Sequence, residues 1–274
     1  MKEQLRKLQL TQLEMLKVID SICKDNGIKY SLYAGTLLGA VRHNGFIPWD
    51  DDLDICMERS EYDRFIALWD KVRPSGYILQ NKENTPDFTQ SFTKIRKEHT
   101  TFLQYDFERG KYHTGIFVDI FPLDRCPKNK ISKTVFKIQC MIYQLLTREF
   151  VPTKASWSVR NISKLILVLI RPKYRGYLRT YILKRLIKNN EDKELDFVEF
   201  ATMDTLKIEY PSEMLESYSE VQFEDGKFMC FSEWDKHLRY CFGDYMKLPP
   251  EDERDWKHHP IILDFEHSYE ELQN

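Results

Sequence analysis

Four aspartates stand within five positions, Asp50, Asp51, Asp52 and Asp54, and their flanks are apolar: Pro48 and Trp49 before, Leu53, Ile55 and Met57 after. The polar–apolar alternation over 52–57 predicts a half-buried strand, so any fold that packs this strand must also accommodate its charges. On a strand, Asp52 and Asp54 fall on one face, a single pleat repeat apart. Two carboxylates that close repel, and they need a cation between them or a proton on one of them. Hard oxygen ligands at this spacing suit Mg²⁺ or Mn²⁺. A calcium loop of the EF-hand type is disfavoured, because no glycine stands at its turn position and no glutamate at its twelfth. A solvated acidic loop is the alternative that the apolar flanks argue against.

Gly35-Thr36 stands 16 residues before Asp52 and reads as the turn that opens a short helix through about Arg42. Backbone N–H groups after such a turn cradle phosphate oxygens, so turn and aspartates together read as half of a phosphoryl-transfer site. A third carboxylate is expected from a neighbouring strand. Asp119 is the one polar residue in the apolar run 115–121, and burying it unpaired would cost several kcal/mol. It should therefore meet a metal, a base or a hydroxyl, or else a nearby Lys or Arg. Asp124, close after Pro122, is expected to start a turn.

Helix and strand signals alternate along the chain. Leu5, Leu8, Leu13, Leu16, Ile19 and Ile22 give 3–25 one apolar helical face, stopped by Asn26-Gly27. Strands are predicted at 30–34, 52–57, 91–96, 101–104 and 115–121, and a hairpin over 220–231 about Asp225-Gly226. Ser60 is expected to cap a helix through Val72, with Asp63 in the capping-box position, and Ser232 to start one ending at Gly243. The span 131–190 reads as helical, broken near Pro152 and Arg171-Pro172. It carries thirteen basic residues, Lys154 among them, against Glu149 alone, a local charge of +12 in a chain of net charge −2. Interleaved aromatic and aliphatic residues suit an anionic membrane surface or a polyanionic partner, or a plain helical subdomain with a solvated basic rim. The expected organisation is a catalytic core of 1–130 plus 191–274 with a basic helical insertion at 131–190.

Six scattered cysteines, with no CxxC and no Cys/His pair at zinc spacing, predict reduced thiols and a cytoplasmic setting. The start leads into a polar helix rather than a signal-peptide core, and the longest apolar run, 165–170, is too short to span a bilayer. The protein is expected to be soluble or peripheral at the inner face of the membrane.

The run Gly-Thr-Leu-Leu-Gly-Ala-Val-Arg-His-x-Gly-Phe-Ile-Pro-Trp-Asp-Asp-Asp-x-Asp over 35–54 closely resembles the signature of the LicD family. That family includes bacterial phosphocholine transferases and, more distantly, the fukutin-related phosphoalditol transferases. The run 116–124, around Asp119, is similar to its second block. Phe242-Gly243-Asp244 to Pro250, followed by His258-His259, is similar to its C-terminal block. The resemblance implies an α+β fold, a nucleotidyltransferase-like mixed sheet with flanking helices. It also implies transfer of a phospho-alcohol group, best phosphocholine, from a CDP-activated donor to a hydroxyl of a cell-surface glycan or its lipid-linked precursor, with release of CMP. Asp52 and Asp54 would then be the metal pair for Mg²⁺ (or Mn²⁺), and Asp119 the third metal carboxylate, which also accepts the proton. Asp50 joins them if the strand begins early, and Asp51 should point away. The zinc-binding cysteine module of the animal relatives has no counterpart.

Within that frame Gly35 and Thr36 would hold phosphate. Arg42 and Lys94 are candidate phosphate clamps, with an acid partner for Arg42 and an ordinary strand-edge position for Lys94 as the alternatives. His258 and His259 are candidates for work on the acceptor or leaving group, or form a polar C-terminal loop. A choline headgroup would sit against aromatic faces, for which Trp49, Tyr33 and Phe46 are candidates. Two rivals differ in class: a nucleotidyltransferase that moves NMP and releases pyrophosphate, and a non-catalytic polyanion- or membrane-binding module. Nucleic acid is not an expected partner. Charge reversal at Arg175, Arg179 and Lys184 is expected to weaken vesicle binding.

Overall fold

A computed structural model describes residues 2–152, 155–202 and 205–273. Lys154, one of the thirteen basic residues of the central span, lies outside the described residues. The chain forms two compact units, one of Met1–Gln80, Thr93–Pro122 and Glu213–Asn274, the other of Asn81–Phe92 and Leu123–Ser212.

The first unit begins with α1 (Lys2–Asp25), whose apolar face is buried as its spacing requires, and Gly27 takes the left-handed conformation just beyond its end. A two-residue strand β1 (Ser31–Leu32) leads into α2 (Ala34–His43), which Asn44 ends in the same left-handed conformation. Next come β2 (Asp54–Glu58), α3 (Arg59–Val72), β3 (Tyr77–Gln80), β4 (Thr93–Lys97), β5 (Thr101–Leu103) and β6 (Phe117–Arg125). The main sheet runs β1-β2-β6-β4-β3, with β1–β2, β4–β6 and β3–β4 antiparallel. All nine residues of β6 are buried, its apolar positions on both faces and its charged Asp119, Asp124 and Arg125 each held by a polar partner. Helices and a mixed sheet make the fold α+β.

Three local expectations need correction. The acidic strand starts at Asp54 rather than Asp52, so Asp50 to Leu53 lie in a loop. Ser60 sits inside the first turn of α3 instead of capping it, because the helix already starts at Arg59 behind Glu58. Asp124 continues β6, buried, where its carboxylate accepts from Asn190 Nδ2 at 2.8 Å, rather than starting a turn.

In the second unit, α4 (Lys130–Arg148) is capped by Asn129, whose side chain accepts from the amides of Ile131 and Ser132. It is followed by α5 (Trp157–Leu169) and α6 (Pro172–Ile187), the latter opened by its proline, and by β7 (Phe197–Val198), which pairs with residues 124–125 of β6. Phe136, Cys140, Tyr143, Leu146, Ile182, Leu186 and Phe200 form its core.

The chain then returns to the first unit. The hairpin β8 (Tyr218–Phe223) and β9 (Gly226–Phe231) turns at Glu224-Asp225, one residue earlier than the Asp-Gly signal indicated. Helix α7 (Trp234–Phe242) starts behind Glu233 rather than at the expected Ser232 and ends at Gly243, and β10 (Ile262–Asp264) pairs antiparallel with β5.

Candidate active site

Two glutamines on the buried face of α1 set the acidic loop. Gln9 Nε2 donates to the carbonyls of Asp50 (2.9 Å) and Ile47 (3.3 Å), and Gln12 Nε2 donates to that of Asp51 at 3.1 Å. A loop so sewn to a helix keeps its backbone paired without belonging to a sheet. Its end is fixed at the start of α2: the Asp54 amide donates to Thr36 Oγ1 at 2.8 Å, and the Asp54 carbonyl accepts from Tyr33 N at 3.0 Å. The Asp119 amide donates to Leu53 O at 2.9 Å, which sets the third carboxylate's strand beside the same segment. Every one of these residues belongs to the first unit.

Close backbone approach fixes the segment that leads into the loop. A Cβ on Gly39 would meet Gly45 O at 2.5 Å and Ile47 N at 3.0 Å, so only glycine lets the 45–47 segment cross α2. A Cβ on Gly35 would meet Asp50 Oδ2 at 2.7 Å. The helix turn expected to cradle phosphate thus has the Asp50 carboxylate packed against it.

The carboxylates divide by partner. Asp51 is fully buried and accepts from the Lys257 amide (3.3 Å), the His258 amide (3.0 Å) and His258 Nδ1 (3.0 Å). Burial would raise its pKa, but these bonds outweigh burial and hold it below the usual carboxylate range. Asp51 therefore does not simply point away: Asp51, Asp52 and His258 each bring one ligand atom within 4.8 Å of the others. Asp50 faces the Lys257 ammonium at 3.4 Å, yet burial and the nearby Asp52 push it up to about 7. Burial, then Asp52, Asp119 and Asp50, hold Asp54 well above the ordinary range. Asp119 is raised by burial in spite of Lys94, whose ammonium lies 2.6 Å from one of its oxygens. Burial lowers Lys94, and the same ammonium stands 3.3 Å over the Phe117 ring. Burial opposes the charge on His258, but Asp51 and Asp52 raise it on balance.

Among the described residues the half-buried Asp52 and the buried Asp54 accept no hydrogen bond from the protein, and buried Asp50 Oδ1 has no hydrogen-bond partner either; the nearest cationic nitrogen to Asp52 is His258 Nδ1 at 3.7 Å. Five carboxylates (Asp50, Asp51, Asp52, Asp54, Asp119) share this space with the cationic groups of Lys94, Lys257 and His258. Fully ionised, they leave an excess of about two negative charges, and hard oxygen donors with that deficit fit a divalent cation.

The other candidates are placed as follows. Arg42 donates to the carbonyls of Tyr245 (2.9 Å) and Lys247 (3.5 Å) and to His43 Nε2 (3.0 Å), tying the end of α2 to the segment after α7. Lys94 is an interior position, since β4 lies between β3 and β6. Trp49 is half-buried, with the Arg254 guanidinium 5.5 Å from its ring centre. Tyr33 is buried against Phe121 and His237, and Phe46 is core, 4.8 Å from Phe223. His258 joins the acidic group, whereas His259 does not: it is exposed, 3.6 Å from Asp255, and lines an open cleft of about 320 Å³ with Gln4, Trp256 and Leu263. Lys257, Gln9 and Gln12 were not anticipated. Two glutamines inside an otherwise apolar helical face were the readable signal for the latter pair.

The nucleotidyltransferase domain described as LicD/FKTN/FKRP matches residues 27–153. The lipopolysaccharide cholinephosphotransferase LicD of Haemophilus influenzae is 31% identical over 257 residues, covering 91% of this chain and 94% of that protein. An uncharacterized protein of Rickettsia prowazekii is 28% identical over 123 residues, 45% of this chain and 42% of that protein. One of Rickettsia typhi is 36% identical over 77 residues, 28% and 25% of the two lengths.

Proposed function

The chain belongs to the LicD family, and from that membership we propose that it transfers phosphocholine from CDP-choline to a hydroxyl of a cell-surface glycan or its lipid-linked precursor, releasing CMP. The observation that carries this reading is the pair Asp52 and Asp54. Asp54 is tied to the start of α2 through its amide, and neither carboxylate accepts a hydrogen bond from the described residues, while Asp119, Asp50 and Asp51 face Lys94, Lys257 and His258. A divalent cation, Mg²⁺ or Mn²⁺, held by Asp52 and Asp54 would neutralise the donor's diphosphate and ease departure of CMP.

The chain's own groups do the rest. Asp51 fixes the His258 ring and the backbone of Lys257 and His258, which places a cationic wall beside Asp50 and Asp52. Asp119, made more basic by burial and backed by Lys94, receives the proton of the acceptor hydroxyl as its oxygen bonds to phosphorus. The bond from phosphorus to the CMP oxygen breaks, and its electron pair leaves with CMP. Trp49 is the aromatic candidate for the trimethylammonium group, which would have to displace the Arg254 guanidinium from that ring.

The test uses purified protein, CDP-choline, Mg²⁺ and defined lipopolysaccharide oligosaccharides, with CMP release and choline incorporation as readouts. Asp52→Asn or Asp54→Asn should abolish both, and chelation should do the same. Undiminished turnover in either variant rules the metal pair out. Pyrophosphate release from a nucleoside triphosphate, in place of CMP, would establish the nucleotidyl-transfer rival.

A further inference from the structure

Helix α5 is built inside out for a soluble helix. Of its thirteen residues Ser163 is the buried one, while Trp157, Ile162, Leu165, Val168 and Leu169 are 81, 57, 57, 77 and 71% exposed. At 100° per residue these five side chains fall on one face, opposite Ser163. Ile162, Leu165, Val168 and Leu169 adjoin one another, with Ser158 and Asn161 between them and Trp157, and an exposed apolar stripe of this kind marks a surface that another body covers.

The charge around the stripe identifies that body. Residues 155–190 contain nine basic residues and no acid. Arg160 and Lys164 border the stripe on α5, and Arg171 and Lys173 follow directly at its C-terminal end. On α6, Tyr174, Tyr177 and Tyr181 are 54, 76 and 48% exposed at helical spacing, beside exposed Lys184 and Arg185. Not all of the basic residues are available. Arg175 donates to the carbonyls of Leu167 and Ile170 and pairs with Glu149 at 3.2 Å, and Arg179 pairs with Glu83 at 3.3 Å. Those two hold the unit together, and the outward charge comes from the others.

We propose that α5, with the adjoining start of α6, docks this protein on an anionic lipid bilayer. The stripe enters the region between headgroups and acyl chains, and the lysines and arginines meet lipid phosphates. Among the described residues no helix is long and apolar enough to cross a membrane, so the contact is peripheral. A purely polyanionic partner would leave the five apolar side chains unused. A second copy of the stripe would bring two acid-free basic surfaces together, which like-charge repulsion opposes. Tryptophan and tyrosine beside basic residues are the composition that settles at a membrane–water interface. The proposal does not depend on the transfer reaction, although an enzyme acting on a lipid-linked glycan would meet its acceptor there.

The test is flotation of the full chain with vesicles, without substrates. Vesicles of phosphatidylglycerol and phosphatidylcholine should carry the protein, and pure phosphatidylcholine vesicles should not. Leu165→Asp with Val168→Asp should reduce binding by about tenfold or more, since burial of these side chains in the interface is lost. Lys164→Gln with Lys173→Gln should reduce it by about 25-fold at low salt, about fivefold for each charge. All four positions are exposed, so circular dichroism and melting should match the unaltered chain. Equal binding to neutral vesicles, or wild-type binding by the Leu165/Val168 variant, would overturn the proposal. So would a dimer in gel filtration that the same variant dissociates, because the occupant would then be a second copy.

Discussion

The Lys94 ammonium lies 2.6 and 2.9 Å from the two carboxylate oxygens of Asp119, directly across the antiparallel ladder of β4 and β6. Both side chains are less than a tenth exposed, and the ammonium rests on the Phe117 ring. Removing one member of such a pair strands the other charge in a poorly solvating interior. Lys94→Met and Asp119→Asn should each cost about 3–5 kcal/mol in urea unfolding. The double variant Lys94→Met with Asp119→Leu should cost less than either. Additive losses would mean that the two groups act independently.

Asp54 should behave in the opposite way. Its ionised form is disfavoured by burial and by Asp52, Asp119 and Asp50, so Asp54→Asn relieves repulsion. Melting in the absence of metal should stay level or rise, while turnover falls at least about 100-fold, because a metal's charge stabilisation is worth several kcal/mol. On the proposed metal pairing, Mg²⁺ should raise the melting temperature of the unaltered chain in a thermal shift assay and leave that of this variant unchanged. A fall in melting temperature parallel to the fall in turnover would place Asp54 in the framework instead.

Glu224 predicts an acid-side loss of stability. It accepts from Arg6 at 2.9 and 2.6 Å and from the Phe46 amide at 3.1 Å, joining α1, the loop before the acidic cluster and the hairpin turn. The Arg6 bond first, then the Phe46 amide, hold its pKa below the usual value. A carboxylate with a depressed folded-state pKa contributes stability above its unfolded value, near 4.5, and loses it as pH falls through the folded one. Glu224→Gln should therefore cost about 1–2 kcal/mol at pH 7, and the gap from wild type should narrow as pH falls below 4.5. A gap that stays constant across that range would contradict the assignment.

Gly39→Ala tests the crossing that positions the loop. The added methyl would meet two backbone atoms of the 45–47 segment, neither of which can rotate away. Overpacking of this kind costs about 1–3 kcal/mol. Turnover should fall further than the fraction unfolded explains, since the displaced segment leads straight into Asp50 to Asp54. Wild-type turnover in a folded Gly39→Ala protein would show that the crossing does not set the site.

Several local elements were legible along the chain, and so were Asp50, Asp52, Asp54 and Asp119 of the acidic group, whereas Asp51 was expected to point away. The 3–4 spacing of Leu5 to Ile22, the helix break at Arg171-Pro172 and the apolar run around Asp119 are short-range facts, fixed by side-chain periodicity and backbone sterics. The density of aspartates between Trp49 and Ile55 was equally plain. Partnership was decided only by tertiary structure. Alternation placed Asp52 and Asp54 on one strand face, but Gln9 and Gln12 compete for the backbone of that stretch and turn it into a loop. Asp51 gains its partner from a segment more than 200 positions away, and Asp119 gains Lys94 by the register of two strands. A carboxylate's pKa and accessibility depend on which charges and donors surround it in space. No pattern along the chain encodes those neighbours until the sheet is assembled.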